Sequence, residues 1–312
     1  MPDYMLDEAT RITRMKKPSK MVDVVLDTDT FNEIDDQYAL AYLIQSDEKL
    51  RLQAIYAAPF FNHHSASPED GMVKSYQEIH NILHLIGREE FCNVTYEGSR
   101  KYLSNETEPV DSPAARDLVK RALEHDSDNL LYVIAIGAIT NVASAILMCP
   151  EIVEHIVVVW LGGNSLKWPD NHEFNCYQDV AAARVVFNSR VPLVQLPCMG
   201  VVSSFTTTGP ELEYWLKGKN AFCDYMVAKT AEEAHIWTDA RTWSRPIWDV
   251  TAVAWLLDES FMKECLVPCP IPEYDDRWGL DPTRHMMKYV YYINRDELLD
   301  DLFRKLEKIE TK

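Results

Sequence analysis

The segment VDVVLDTDTFNEIDDQYALAYLIQS, residues 22–46, contains the pattern that decides the fold. Its β-branched beginning, residues 22–29, predicts a buried strand, and the apolar spacing of residues 34–46 predicts a helix. The same alternation continues along the chain, with further strands expected in LQAIYAA, NVTYEG, LLYVIAI, IVEHIVVVWLGG and PLVQLPC. Repeated strand–helix alternation predicts an α/β fold, with a mostly parallel central sheet and helices on both faces.

The rest of the chain favours a single domain spanning residues 1–312. It contains no Pro-, Ser- or Gly-rich linker, no repeat of fixed period and no low-complexity tract. Residues 211–248 are helical in pattern and rich in aromatic residues, and we expect them to cap the site. HMMKYVYYIN, residues 285–294, predicts a final strand, and RDELLDDLFRKLEKI, residues 295–309, predicts an amphipathic closing helix.

Charge and cysteine content narrow the classes of function. The chain has 31 basic and 49 acidic residues, a formal net charge of −18, which disfavours nucleic acid and anionic membranes as partners. The seven cysteines are odd in number and form no CxxC pair, as expected in a reducing compartment. The N-terminal segment lacks the apolar run of an export signal. We therefore expect a cytoplasmic protein with a small-molecule substrate.

Five acidic residues follow the first strand within ten positions, in DTDTFNEIDD, residues 27–36. Ligands of open α/β sheets bind just outside the carboxyl ends of the strands, which is where these acids are expected. A cation would relieve their mutual repulsion. No His and Cys cluster with zinc-like spacing accompanies them, so a hard cation is favoured, with Ca²⁺ or Mg²⁺ as the natural candidates.

The residues alone also permit two alternative roles for these acids. Asp35 and Asp36 could favour the N-terminal dipole of the helix while Asp27 and Asp29 lie in a solvated turn. A buried Asp27 would then lose its hydration without a partner. Alternatively, DxD could belong to a Mg²⁺-dependent phosphatase of the haloacid dehalogenase type. Phe31 stands where that motif has Thr or Val, and none of the ten glycines precedes an Asp.

Five segments in register resemble the inosine-uridine preferring nucleoside hydrolases. DTDTFNEIDDQYAL resembles the family's DTDPGxDDxxAL signature, and AIGAITNVASAI, residues 135–146, resembles its GPLTN segment. VVVWLGGN is similar to its MGG strand end, EFNCYQDVAAARVVF to its EFNxxxDPEAA block, and PIWDVTAVAWLL to its HDPxAVA segment. The closing INRDELLDDLFRKL also resembles the family's last strand and helix.

The resemblance implies a Ca²⁺ ion at the base of a ribose pocket, with Mg²⁺ the less favoured ion, and hydrolysis of an N-glycosidic bond. Carried over motif by motif, the metal ligands would be the side chains or carbonyl of Asp29, Asp36, Thr140 and Asp249. Asp29 would also act as the general base on the attacking water. Asp27 would support the orientation of the ligands. The substrate contacts would be Asp35, Asn62, Glu173 and Asn175. Trp248, which is not carried over from the family, is expected either to stack on the base or to pack in the core.

Two departures from the family pattern affect the leaving-group side. TFNEI separates Asp29 from Asp35, five residues where the family has three, and it places Glu33 in the insertion, facing either the pocket or solvent. Trp248 stands where the family has the histidine that contacts the leaving base. His235 is the first candidate to replace it, against an ordinary surface role. Further candidates are Asp239 as an acid, Arg241 and Arg245 as counter-charges, and Trp237 and Trp243 as stacking or core residues.

The expected function is therefore release of base and ribose from a ribonucleoside, in nucleoside salvage. A nucleoside- or ribose-binding protein that lost turnover together with the histidine is the second hypothesis. The resemblance also implies a homo-oligomer, since relatives are commonly dimers or tetramers, and the Trp and Tyr content offers contact surface.

Overall fold

The computed structural model describes residues 6–310. The first five residues of the N-terminal segment, on which part of the export-signal prediction rests, lie outside them. Within the described range, no helix is long and apolar enough to cross a membrane. All seven cysteines are free thiols, in agreement with the odd count.

The strands of the described chain, numbered in order, are β1 (Val22–Thr28), β2 (Leu50–Ala57), β3 (Thr95–Glu97), β4 (Leu131–Ala135), β5 (Ile156–Leu161), β6 (Leu193–Leu196), β7 (Thr206–Thr208), β8 (Ser244–Pro246), β9 (Met262–Pro268), β10 (Ile271–Pro272), β11 (Trp278–Gly279) and β12 (Met286–Ile293). The α-helices are α1 (Glu8–Arg14), α2 (Asp35–Ile44), α3 (Pro68–Leu85), α4 (Pro113–Leu123), α5 (Thr140–Met148), α6 (Phe174–Gln178), α7 (Val180–Asn188), α8 (Gly209–Trp215), α9 (Ala221–Trp237), α10 (Val250–Trp255) and α11 (Arg295–Leu306).

Eight strands form one sheet, in the order β3-β2-β1-β4-β5-β6-β12-β9. Every neighbouring pair is parallel except β12 and β9, so the predicted mostly parallel sheet is confirmed. The order runs outward from β1 to β2 and β3 on one side, and from β4 to β5 and β6 on the other. The chain therefore reverses direction across the sheet between β1 and β4, which is the position where open α/β folds bind ligands.

Successive side chains of each strand point to opposite faces of the sheet, and helices bury both faces. Val24 and Leu26 of β1 pack in one apolar cluster, together with residues of α2, α3, α10 and α11. Val25 packs in the other cluster, together with residues of α4, α5 and α7. All seven residues of β1 are buried, including the polar Asp23, Asp27 and Thr28.

Three features of the fold differ from the sequence-based expectations. The segment 150–154 is a 3₁₀ turn, because Pro150 follows α5 directly, and β5 begins only at Ile156. The stretch 211–248 is not wholly helical, since Ser244–Pro246 is a strand that pairs antiparallel with Thr206–Thr208. The edge strand β9 and the helices α1 and α4 were not predicted; Ser112 caps α4 through the backbone N–H of Ala115.

Asp179 joins three elements that carry the site, and its replacement should destabilise the fold. Its carboxylate accepts hydrogen bonds from the backbone N–H of Ala182, the backbone N–H of Leu103 and the hydroxyl of Thr140. We expect Asp179→Ala to lower the free energy of unfolding by about 3 kcal/mol, since it removes a helix cap and leaves buried hydrogen-bond donors without an acceptor. Urea denaturation measures this change.

Asp111→Ala is the matched control, because Asp111 is exposed and its ion pair with Arg116 is solvated. Equal losses in the two variants would contradict the assigned role of Asp179.

Candidate active site

The carboxyl end of β1 carries a group of buried acids at the reversal point between β1 and β4. Asp27 and Asp29 lie at the end of β1, and Asp35 and Asp36 open α2 after a short loop. Asp249 reaches the same place from the N-terminus of α10. All five are buried. Elements distant in the sequence thus bring together the acids that the motifs suggested.

Asp29 has the least satisfied side chain of this group. Both carboxylate oxygens are buried, and neither has a hydrogen-bond partner. Gly137, in the loop after β4, lies against this carboxylate, because a Cβ at that glycine would approach Asp29 Oδ1 to 3.0 Å. A buried carboxylate without donors is costly, so Asp29 requires a partner from outside the chain.

Asp35, Asp36 and Asp249 offer carboxylate oxygens that lie within 4.8 Å of one another. Thr28 donates its hydroxyl to Asp36 Oδ1 at 2.5 Å, and the backbone N–H of Asp249 donates to Asp35 Oδ2 at 3.3 Å. The family resemblance assigns Asp35 to the sugar and not to the metal. The structure places its carboxylate as close to the other two as a ligand of the same ion would be.

Burial raises the pKa of every acid in the group, and repulsion between its members adds to this shift at Asp29, Asp35 and Asp249. Burial raises the pKa of Asp35 to about 7 and that of Asp36 to about 6. The pKa of Asp29 is raised well above its usual value by burial and by the charges of Asp36 and Asp35. The same burial, with Asp35 and Asp36 nearby, raises the pKa of Asp249. A cation would reverse these shifts and leave the acids ionised.

Asp27 lies beneath the group and is held by Asn141 of α5. Asn141 Nδ2 donates to Asp27 Oδ1 at 2.7 Å, and its Oδ1 accepts from the backbone N–H and the hydroxyl of Ser99. Gly98 permits this packing, because a Cβ there would lie 2.5 Å from Asn141 Nδ2 and 1.9 Å from the Ala57 carbonyl oxygen. Burial raises the pKa of Asp27 to about 7. The structure thus shows Asp27 buried and held by Asn141, and its supporting role stays a prediction.

Thr140 opens α5 directly beyond β4, at the same edge of the sheet. Its side chain is fully occupied elsewhere, because the hydroxyl donates to Asp179 Oδ2 at 2.7 Å. This bond fixes the residue, and any contact of Thr140 with an ion would come from its main chain. Its neighbour Asn141 donates a hydrogen bond to Asp27, so both polar residues of the ITN sequence bind a buried aspartate.

The EFN block forms the wall beside β5. Both oxygens of Glu173 accept backbone hydrogen bonds, from Gly163, Asn175 and Cys176, so this carboxylate also caps the short helix α6. Asn175 Nδ2 donates to the carbonyl oxygens of Ile136 and Leu161 at 3.1 and 3.0 Å. The amide group of Asn175 is therefore oriented, and its Oδ1 is left for a ligand.

Asn62 forms a hydrogen bond with the loop that follows β1. Its Nδ2 donates to Asn32 Oδ1 at 2.6 Å, and its own Oδ1 accepts from the backbone N–H of His64. Asn32 lines the cavity, whereas Asn62 is not among the lining residues. Asn62 therefore lies one residue further from the cavity than the resemblance implied.

A cavity of about 160 Å³ opens above the acids. Its walls combine carboxylates with apolar and aromatic side chains, and the lining residues are Asn32, Glu33, Asp35, Ile136, Leu161, Asn164, His172, Glu173, Phe174, Asn175, Cys198, Met199, Trp248 and Asp249. Such a mixture suits a polar ring at one end and a flat ring at the other.

Glu33 faces this cavity, which decides between the two positions that the sequence allowed. It forms an ion pair with Arg245 of β8. The Arg245 guanidinium is buried and lies 5.6 Å from the ring centroid of Trp237 and 5.8 Å from that of Trp248. Burial and the Asp35 charge raise the pKa of Glu33 to about 8, against the opposing effect of Arg245.

The other leaving-group candidates lie away from the cavity. His235 is exposed on α9, and its Nδ1 lies 2.5 Å from the carbonyl oxygen of Ala231, an ordinary surface arrangement. Asp239 and Arg241 are exposed as well. Trp243 packs against the apolar core. His235 is not among the described residues that line the cavity, so the structure does not support it as a catalytic residue.

Sequence reasoning missed His172 and Asn164. His172 lines the cavity, pairs with Asp276 at 2.8 Å through Nδ1 and stacks on Tyr177. It directly precedes EFN, so its position in the motif was the available signal. Asn164 follows the glycine pair of β5 and accepts from the backbone N–H of Met199 at 3.2 Å.

The chain belongs to the family described as inosine-uridine preferring nucleoside hydrolase, whose model matches residues 24–298. This is a family of N-glycosyl hydrolases. The match covers the acids of β1, the EFN block, Asp249, the closing strand β12 and the first turn of the closing helix α11.

Individual relatives are distant. A putative pyrimidine-specific ribonucleoside hydrolase, RihB, from Shigella boydii serotype 4 is 38% identical over 73 residues, which cover 22% of this chain and 30% of that protein. The solved purine-preferring ribonucleoside hydrolase from Gardnerella vaginalis is 18% identical, with a TM-score of 0.75 over 93% of this chain and 99% of that one. A plant nucleoside hydrolase, PpNRh1, is also 18% identical, with a TM-score of 0.73 over 93% and 100%. These two structures share the fold.

The charge repulsion in the site predicts that one neutral substitution stabilises the metal-free protein. Because the folded-state pKa of Asp36, about 6, lies above its unfolded value, ionisation of Asp36 destabilises the fold as pH rises and does so fully above pH 6. Asp36→Asn should therefore raise the free energy of unfolding by about 2 kcal/mol at pH 8 in chelator, and by about half as much at pH 5, which lies between the unfolded and folded pKa values.

Denaturation at the two pH values, with the exposed Asp47→Asn as control, measures this difference. A gain in stability that is no larger at pH 8 than at pH 5 would show that ionisation of Asp36 does not strain the metal-free fold.

Proposed function

We propose that the protein hydrolyses the N-glycosidic bond of a ribonucleoside in a Ca²⁺-dependent reaction, with Asp29 as general base. The observation that carries the proposal is the Asp29 carboxylate, with two buried oxygens that have no partner, beside a further group of acids. Membership of the family supports the reaction class.

The residues of the site fit a hard divalent cation. Asp29, Asp36 and Asp249 would hold it with the main-chain oxygen of Thr140, and Asp35 is close enough to share in its neutralisation. All these donors are oxygens. Calcium accepts more oxygen ligands and less regular geometry than magnesium, and we favour it for this crowded set. When bound, such an ion lowers the pKa of a coordinated water.

Asp29 would then accept a proton from the attacking water. It is suited to this task because no hydrogen bond from the chain occupies either oxygen. A bound cation would lower the pKa of Asp29 and keep its carboxylate ionised, as a general base must be.

Asp35 and Asn175 would hold the ribose. The donors of Asn175 are bound to Ile136 and Leu161, so its free Oδ1 would accept a hydrogen bond from a sugar hydroxyl. Cleavage of an N-glycosidic bond develops positive charge on the sugar ring. The surrounding carboxylates would stabilise that charge more in the transition state than in the bound nucleoside.

A second candidate function is nucleoside binding without turnover, and Trp248 is the observation that favours it. Trp248 lines the cavity and stands at the sequence position where the family pattern has the leaving-group histidine, and His235 lies away from the cavity. The two candidates differ in one respect that is simple to measure, since only the hydrolase releases reducing sugar.

Asp29→Asn tests the general base. We expect kcat for ribose release from inosine or uridine to fall by about 10³-fold, because the amide cannot accept the proton from water. The substitution preserves side-chain volume and removes a buried charge, so the variant should remain folded. A reducing-sugar assay with saturating Ca²⁺ measures kcat, and Asp47→Asn serves as the control. Normal turnover by Asp29→Asn would overturn the mechanism.

Metal dependence is a separate test. Dialysis against a chelator should abolish ribose release, and Ca²⁺ should restore it more fully than Mg²⁺. Calcium should also raise the unfolding temperature more at pH 8 than at pH 5, where protons compete for the acids. Calcium-induced stabilisation with no release of sugar from any nucleoside would favour the binding protein instead.

A further inference from the structure

Two residues on one wall of the cavity mark the points where this chain departs from its family's pattern. Glu33 lies in the longer segment between Asp29 and Asp35, and Trp248 directly precedes Asp249. Both line the cavity above the acids. The proposed attack on the ribose uses neither side chain, so their polar groups are available for a separate role.

Each of the two side chains has a polar group without a partner. One carboxylate oxygen of Glu33, Oε2, pairs with Arg245, and Oε1 has no hydrogen bond to any described residue. The indole Nε1 of Trp248 is buried and also has no partner among the described residues. The wall therefore offers one acceptor, the second oxygen of Glu33, and one donor, the indole Nε1 of Trp248. A ligand that supplied the complementary donor and acceptor would satisfy both.

Arg245 connects the two residues and fixes their positions. Its Nη2 binds Glu33, and its guanidinium lies near the rings of Trp237 and Trp248. Only 8% of the Arg245 side chain is exposed, so the pair is poorly screened by solvent. The three side chains are ordered before a ligand enters, which lowers the entropic cost of binding.

We propose that Glu33 and Trp248 form the leaving-group subsite, and that it takes a nitrogen heterocycle whose edge has an N–H donor next to a hydrogen-bond acceptor. The lactam edges of uracil and hypoxanthine have this form. Glu33 accepts from the ring N–H, Trp248 Nε1 donates to the neighbouring oxygen, and Arg245 positions Glu33. The assignment rests on the proposed function, because it identifies the ring in this cavity as the leaving base.

A methyl group on the ring nitrogen removes the donor and leaves the rest of the base unchanged. The test therefore compares uridine with 3-methyluridine, and inosine with 1-methylinosine, as ratios of kcat/KM. We expect the wild-type protein to prefer the unmethylated member of at least one pair by about tenfold or more, as for a hydrogen bond to a charged group. Such a ratio is independent of the fraction of active protein.

Variants then assign the preference to particular atoms. Glu33→Leu should bring the ratio close to one, whereas Glu33→Gln, which retains an acceptor oxygen, should preserve part of it. Arg245→Met should also reduce the ratio, since Glu33 would no longer be fixed. Glu232→Gln, an exposed substitution on α9, is the matched control and should leave the ratio unchanged.

Calorimetry with the same substrate pairs separates this proposal from the proposed function. If no sugar is released but the binding preference is present and is lost in Glu33→Leu, the subsite is supported and the hydrolase is not. If the wild-type protein does not distinguish either pair, or if Glu33→Leu keeps the full preference, the subsite is overturned, whatever the turnover.

Discussion

Burial of several carboxylates at the end of one strand is the constraint on which the rest of the site depends. Asp27, Asp29, Asp35, Asp36 and Asp249 are all buried, and burial raises the pKa of each. The chain supplies hydrogen-bond donors to Asp27, Asp35 and Asp36 but none to Asp29. The surrounding structure thus gives donors to three of the acids and leaves Asp29, the proposed general base, without one. Its stability is thereby coupled to whatever cation or proton occupies the site.

The sheet topology places these acids next to each other. Parallel strands that diverge at β1 and β4 leave a crevice at their carboxyl ends, and both α2 and α5 start there. The side chains that organise the crevice are mostly bound to backbone groups. Glu173 caps α6, Asp179 caps α7, and Asn175 binds two strand-end carbonyl oxygens. Such bonds orient the ligand-facing atoms before a ligand binds.

Sequence was most informative where one local pattern determined the outcome. The buried strands, the helix after β1 and the grouping of acids follow from apolar periodicity and from the rule for strand ends. The antiparallel edge strand β9 did not follow, because its pairing with β12 is non-local and its own burial pattern is mixed. The exposed position of His235 did not follow from the sequence either. Helical spacing alone does not show which residues of α9 are exposed, and the structure places this histidine in solvent.

The two departures from the family pattern, the longer loop and Trp248, lie far apart in the sequence but on the same wall of the cavity. The longer loop brings Glu33 to the cavity, and the change at Trp248 brings an indole to the same wall. Arg245 contacts both, through an ion pair with Glu33 and a ring contact with Trp248. The buried guanidinium of Arg245 needs a counter-charge, and the Glu33 carboxylate beside Asp35 needs a cation. The ion pair between them therefore lowers the cost of burying both groups. Arg245 therefore joins the loop and the tryptophan in one wall, and removing Glu33 alone would leave the buried guanidinium without its counter-charge.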